Sequence, residues 1–148
     1  MASAIGQAVP SDFDGICAVD EVAAKNALRR QRIFDGVSNS EIWVIASADS
    51  IMGYALLSYR FFGHGFMELV LIHPNHQGSG HGPRLIQYLE SVCTDPKLFT
   101  TINESNLRMQ KVLERLGYQK SGIIHNIDPG DPELVYFKLL RSSAVHVQ

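Results

Sequence analysis

Residues 66–85 read FMELVLIHPNHQGSGHGPRL, a buried-type strand that runs into a glycine-rich turn and then opens a helix. Phe66 to Ile72 is apolar except for Glu68, and Pro83 suits the first turn of the helix beyond, where a backbone N–H has no intrahelical partner anyway. Four of the chain's 12 glycines fall between Gly65 and Gly82. Glycines at such a corner let backbone N–H groups converge, and the helix N-terminus adds the positive end of its dipole. The local reading is an anion cradle built from backbone amides.

Two nucleotide fingerprints fail on this corner. For G-x-G-x-x-G starting at Gly78, the third glycine falls on Pro83, and no Lys or Ser/Thr follows Gly82 as a Walker loop requires. What fits is Q/R-x-x-G-x-G/A, filled by Gln77, Gly80 and Gly82.

Upstream, a short strand is expected over Ile5 to Val9, ending at Pro10. A helix then runs from Asp12 to about Leu28 with Ser11 as N-cap, followed by a second short helix over Arg29 to Gly36. Ile42 to Ala48 and Met52 to Phe62 alternate as strands around an Asp49-Ser50 hairpin turn. Gly63-His64-Gly65 forms the next turn before the strand Phe66 to Ile72. The helix from about Gly80 carries Leu85, Ile86, Leu89, Val92 and Cys93 on one face. After the strand Leu98 to Ile102, the stripe Met109, Val112, Leu113, Leu116 marks a helix from Asn106 to Leu116, stopped by Gly117. The strands Tyr118 to Ile124 and Leu134 to Leu140 close the chain. The order β-α-α-β-β-β-α-β-α-β-β predicts an α+β fold with a mixed, mainly antiparallel sheet, in a single domain spanning residues 1–148.

Composition narrows the partners. The chain has 148 residues, 45% of them hydrophobic, with 13 Lys+Arg against 15 Asp+Glu. That balance argues against a nucleic-acid partner held by phosphate neutralisation, and against disorder. No apolar run is long enough for a bilayer, the N-terminus lacks a signal-peptide pattern, and Cys17 and Cys93 read as buried thiols. A cytoplasmic protein with neither a membrane nor a nucleic-acid partner is expected.

With Val70-x-Ile72-x-Pro74 before it and Asn106-x-x-Met-x-x-Val-Leu-Glu-Arg-Leu-Gly-Tyr118 after it, the Gln77–Gly82 pattern resembles the GNAT superfamily, the Gcn5-related N-acetyltransferases. The likeness is clearest over residues 40–140. It implies the acyl-CoA N-acyltransferase fold and acetyl-CoA as co-substrate. The activity implied is direct transfer of an acetyl group to a primary amine of a small molecule or of a protein or peptide. By that resemblance Gln77, Gly78, Ser79, Gly80, His81 and Gly82 meet the pyrophosphate. Val70, Leu71 and Ile72 offer strand backbone to the pantetheine arm, and Asn106 binds the arm from the other side. A homodimer through pairing of last strands is a further expectation.

Such a transfer needs a deprotonated amine, a stabilised carbonyl oxygen and a protonated leaving thiolate. Glu68, alone in an apolar strand, is either the proton acceptor or an ion-pair partner for Arg60. The helix position at which the family often places Tyr is Leu113, which has no proton to give. Tyr118, Ser105 or water then protonates the thiolate, or it leaves unassisted. Leu113 therefore keeps open an alternative, a weakly catalytic or non-catalytic acyl-CoA-binding regulatory module. His73 is a further candidate for proton transfer, and His81 covers the phosphates or is merely solvated. His64, His73, His76 and His81 lie close in sequence, yet His73-x-x-His76 has no third ligand at metal spacing, so no metal is expected. Asp128, Asp131 and Glu133 join the last strands, as an attractor for a cationic amine or as a solvated acidic turn. Arg29, Arg30 and Arg32 are a solvated face, or a site for a substrate carboxylate.

Overall fold

The computed structural model describes residues 3–48 and 50–141. Among them seven strands form one mixed sheet in the order β1-β2-β3-β4-β5-β7-β6, flanked by four α-helices. The chain divides into two compact units, Met1–Leu57 with Leu69–Ser91 and Ser58–Glu68 with Val92–Gln148.

The first unit begins with β1 (Ala4–Gln7), shorter than the expected Ile5 to Val9, which ladders antiparallel to β2 (Ile42–Ser47) with Ile5 opposite Ile45. β2 pairs in turn with the first part of β3 (Ser50–Phe61), with a bulge between Ile45 and Ala46. The expected Asp49-Ser50 turn falls partly outside the described residues, since Asp49 is one of the undescribed positions. Ile16, Val19, Ala23, Ile33, Val37, Ile42, Val44, Tyr54 and Leu56 form the core of this unit. Burying each Ile or Leu there contributes about 1.5–3 kcal/mol relative to exposure.

The long helix expected over Asp12 to Leu28 does not form. A 3₁₀ turn (Pro10–Asp12) leads into α1 (Phe13–Val19), and α2 (Ala27–Ser38) begins after a separate turn. Ser11 is no cap; the Asp12 carboxylate accepts from the Val9 N–H at 2.9 Å instead. The break comes from Asp20, whose backbone is extended and whose carboxylate accepts from the N–H groups of Val22 (2.9 Å) and Ala23 (3.2 Å). Such a local side-chain bond offers the backbone an alternative to continuing the helix. Asn26 then caps α2 by accepting from the Arg29 N–H.

β4 (His64–Ile72) begins two residues earlier than expected, and its last residues lie in the first unit. There α3 (His81–Val92) buries Leu85, Ile86 and Leu89, and the rings of Trp43 and Tyr88 lie 5.5 Å apart.

In the second unit β4 runs parallel to β5 (Lys97–Asn103) over Gly65–Met67 against Leu98–Thr100. β5 ladders antiparallel to β7 (Glu133–Leu139), which pairs with the edge strand β6 (Gln119–Ile124). Asn106 caps α4 (Leu107–Arg115) by accepting from the Met109 N–H at 3.1 Å. Of the predicted stripe on α4, Leu113 is the fully buried member. The buried Tyr136 donates its hydroxyl to Glu114 at 3.0 Å, and burial first, then that bond, pushes its phenol up to about 12.

Two expected turn residues, His64 and Gly65, are reassigned. Phe62 and Gly63, both at positive φ, make the turn between β3 and β4, whereas Gly65 lies within β4. A Cβ on Gly65 would stand 2.9 Å from the Lys97 carbonyl oxygen and 2.7 Å from the Cys93 sulfur, so glycine is required by close approach. Gly65→Ala therefore costs about 1–3 kcal/mol through overpacking. Urea unfolding checks it as a lower midpoint at unchanged slope.

Candidate functional site

The glycine corner survives in three dimensions as a strand end, a 3₁₀ turn (Pro74–His76), an open loop and the start of α3. The His73 N–H donates to the Met52 carbonyl at 2.8 Å, and the Gln77 side chain donates to the Ile72 carbonyl at 3.0 Å. Gln77 thus staples the loop back onto the end of β4. Gly78 and Gly80 both take φ of 85°, the left-handed region, and nothing lies within 4 Å of a Cβ placed on Gly80. The first helical bond of α3 runs from the Arg84 N–H to the Gly80 carbonyl at 3.1 Å. The amides of His81 and Gly82 precede the first intrahelical donors and Pro83 has none, so this end of α3 offers N–H groups outward. Gln77, Gly78, Ser79 and Gly80 are exposed, and a diphosphate fits such an array without any basic side chain.

Three imidazoles flank the loop. His73 accepts at Nδ1 from the Asn75 N–H at 3.0 Å, and its ring centroid lies 5.9 Å from that of His76. The ring of His76 lies 6.5 Å from that of His81. Nδ1 of His81 is buried without a hydrogen-bond partner, an orphaned polar atom inside the candidate loop.

The first unit therefore brings together Val70, Leu71, Ile72, His73, Gln77, Gly78, Ser79, Gly80, His81 and Gly82. The second holds Glu68, Asn106 and Tyr118. Glu68 accepts from the Ser58 hydroxyl at 2.5 Å and pairs with the Arg60 guanidinium at 2.7 Å, with only 8% of its side chain exposed. The Arg60 ion pair weighed from the sequence is present; the Ser58 bond was not foreseen. Tyr118 is buried at 3% exposure with the Lys138 ammonium 5.5 Å from its ring centroid, and its N–H donates to the Leu113 carbonyl.

Two carboxylates of the acidic turn bind within the chain. Asp128 accepts from the Asn103 amide at 2.9 Å, and Asp131 takes both the Ser105 N–H (3.0 Å) and the Ser105 hydroxyl (2.6 Å). Together with the Glu104 N–H to Pro132 carbonyl bond, they clasp the β6–β7 loop to the residues just before α4. Nor are the helix arginines a simple solvated face. Arg29 pairs with Asp20 at 2.7 Å, and Arg30 donates to the Ala23 carbonyl at 2.7 Å.

Asp20, the polar centre that sequence reasoning missed, is fully buried and also accepts from the Tyr54 hydroxyl at 2.5 Å. Burial pushes its carboxyl up. The bonds from Tyr54 and Arg29, the Arg29 charge and the Ala23 N–H outweigh that and hold it below the usual range. Burial, then the Asp20 carboxylate, push the Tyr54 phenol well above its usual range. Both cysteines are free, and burial raises both thiols.

Among the described residues no group of three or more His, Cys, Asp or Glu is placed to hold a metal ion, and no helix is long and apolar enough to cross a membrane. No curated protein matches the chain. Its fold is similar to that of a GNAT-family acetyltransferase from Bacillus cereus ATCC 10987, with a TM-score of 0.87 and 29% identity over 94% of this chain and 98% of that one. It is similar in fold to yncA of Salmonella typhimurium, solved with its cofactor acetyl-CoA, at TM-score 0.80 and 18% identity over 98% of each chain. The ribosomal-protein-S18-alanine N-acetyltransferase of Escherichia coli shares the fold at TM-score 0.84 and 12% identity over 99% of each chain. The family model for the acetyltransferase (GNAT) family matches residues 11–118, and the chain belongs to that family.

Proposed function

We propose that this protein moves an acetyl group from acetyl-CoA, the family's donor, directly onto a primary amine of a small molecule or of a protein or peptide. The observation that carries this reading is the loop at the start of α3, where left-handed Gly78 and Gly80 turn free helix amides outward. Those amides hold the diphosphate, Val70, Leu71 and Ile72 supply strand backbone for the arm, and Asn106 contributes from the start of α4. The bound donor supplies an activated thioester carbonyl.

The remaining work falls to the chain's own groups. Glu68 takes the proton of the attacking amine through water, held in place by the Ser58 hydroxyl and the Arg60 guanidinium. Leu113 is apolar and buried, Tyr118 is buried and the Ser105 hydroxyl already donates to Asp131, so the thiolate takes its proton from His73 or water, or departs unassisted. A thiol of ordinary pKa, about 8.5, leaves readily enough for slow turnover.

Leu113 also favours a second reading, an acyl-CoA-binding module with little turnover. Thiol release from acetyl-CoA across a panel of amines and N-terminal peptides separates the two. Acceptor-dependent release supports the transferase, whereas thermal stabilisation by the donor with no release above background supports the module. With an acceptor in hand, Glu68→Gln lowers kcat/KM by about 10²-fold, the usual scale of general-base catalysis. A rate and pH profile equal to the parent's would leave Glu68 a structural role, in its bonds with Ser58 and Arg60.

A further inference from the structure

Acetyl-CoA carries two kinds of phosphate, a diphosphate and a phosphate monoester on the ribose, and the amide loop accounts for the first. Between Phe61 and Pro83 the chain has no Lys or Arg. The next basic residue, Arg84, directs its guanidinium to the hydroxyl and carbonyl of Ser3. Beside the loop, the imidazoles of His73, His76 and His81 can present N–H donors to a second phosphate.

Their arrangement suits that task. The two outer rings are set in the same tautomer. Because Nδ1 of His73 accepts from Asn75, its proton sits on Nε2. In His81 Nδ1 is buried and unpartnered, and leaving an acceptor idle there is cheaper than burying an unpaired N–H. His81 therefore also carries its proton on Nε2, the nitrogen not sealed inside the protein. The spacing disfavours a shared metal. Imidazoles on one tetrahedral zinc stand about 5 Å apart by centroid, less than the 6.5 Å between His76 and His81. Two oxygens of one phosphate, each taking an N–H···O bond of about 2.8 Å, span the wider gap.

We propose that the row His73–His76–His81 is a second anion subsite beside the glycine loop, which takes the ribose phosphate monoester of the donor and selects coenzyme A over its dephospho form. This rests on the reading of the loop as the diphosphate site. The test is calorimetric titration of the full chain with coenzyme A and with dephospho-coenzyme A, for the parent protein and for His76→Gln. Thermal melting confirms that the variant is folded. The parent binds coenzyme A at least tenfold more tightly than the dephospho form. His76→Gln brings coenzyme A down to the dephospho level and leaves the dephospho affinity unchanged. Equal affinity of the parent for the two ligands, or a His76→Gln loss shared equally by both, overturns the subsite while leaving the loop reading intact. Failure of both ligands to bind the parent overturns the loop reading, and the subsite with it.

Discussion

Gly80→Asp folds and loses coenzyme A binding by about 100-fold or more. Position 80 is left-handed at φ 85°, a region that Asp and Asn tolerate better than other side chains, and a Cβ there meets nothing within 4 Å. The substitution therefore leaves the loop intact and sets a carboxylate among amides that would face a diphosphate. A like charge at about 4 Å costs roughly 4 kcal/mol at the effective dielectric of a protein surface, which is 10²-fold or more in affinity even after screening. Gly80→Asn, of the same shape but neutral, keeps affinity within about tenfold of the parent. Calorimetry on the pair separates charge from shape, and an Asp variant that binds as well as the Asn variant would mean the loop holds no anion.

The second large effect concerns stability. Asp20→Ala removes the acceptor for Arg29, Tyr54 and the Val22 and Ala23 N–H groups at once. Breaking a buried pair in this way costs about 3–5 kcal/mol because the partners stay buried and unsatisfied. At this chain length that lowers Tm by about 10 °C or more. A melting temperature within 2 °C of the parent would show that the network is dispensable.

The same group dictates an acid limb. Its folded pKa lies below the unfolded value of about 3.9, so its contribution is complete above that value and is lost as pH falls through the folded pKa. Tyr54 and Tyr136 act in the opposite sense, their folded pKa values being raised. Their contribution is complete below about pH 10 and is lost as pH rises beyond it, toward about 12 for Tyr136. With the buried Cys17 and Cys93 thiols also raised, stability measured by urea titration should therefore hold level from about pH 5 to 8 and fall on both sides. In Asp20→Ala the Asp20 part of the acid limb disappears.

Element order and the glycine loop were legible because both depend on short-range pattern. Apolar patterning located β3, β4 and β7 to within a few residues, and the Met109–Leu116 stripe located α4. The Gln77-x-x-Gly80-x-Gly82 spacing marks the loop, and left-handed Gly78 and Gly80 form it. The helix expected to run from Asp12 to Leu28 went wrong at Asp20, whose carboxylate takes the Val22 and Ala23 N–H groups in place of a further helical turn. Asp20 reads as one more polar residue near an apolar stripe, and its role appears only when Tyr54, 34 residues away, closes on it. The acidic turn was ambiguous for the same reason, since Asp131 and Ser105 are 26 residues apart.

The family and the backbone loop at the start of α3 thus belong to the linear chain, since hydrophobic periodicity, glycine conformation and helix dipoles all act within a few residues. The state of the side chains belongs to the tertiary structure. Folding ties Glu68 to Ser58 and Arg60, leaves Nδ1 of His81 buried without a partner and lines up three imidazoles beside the loop. A hydrogen bond or a desolvated nitrogen is set by whichever atoms folding brings within about 3 Å, and for the Glu68, Asp20 and Asp131 networks the side-chain partners lie 8 to 34 residues along the chain.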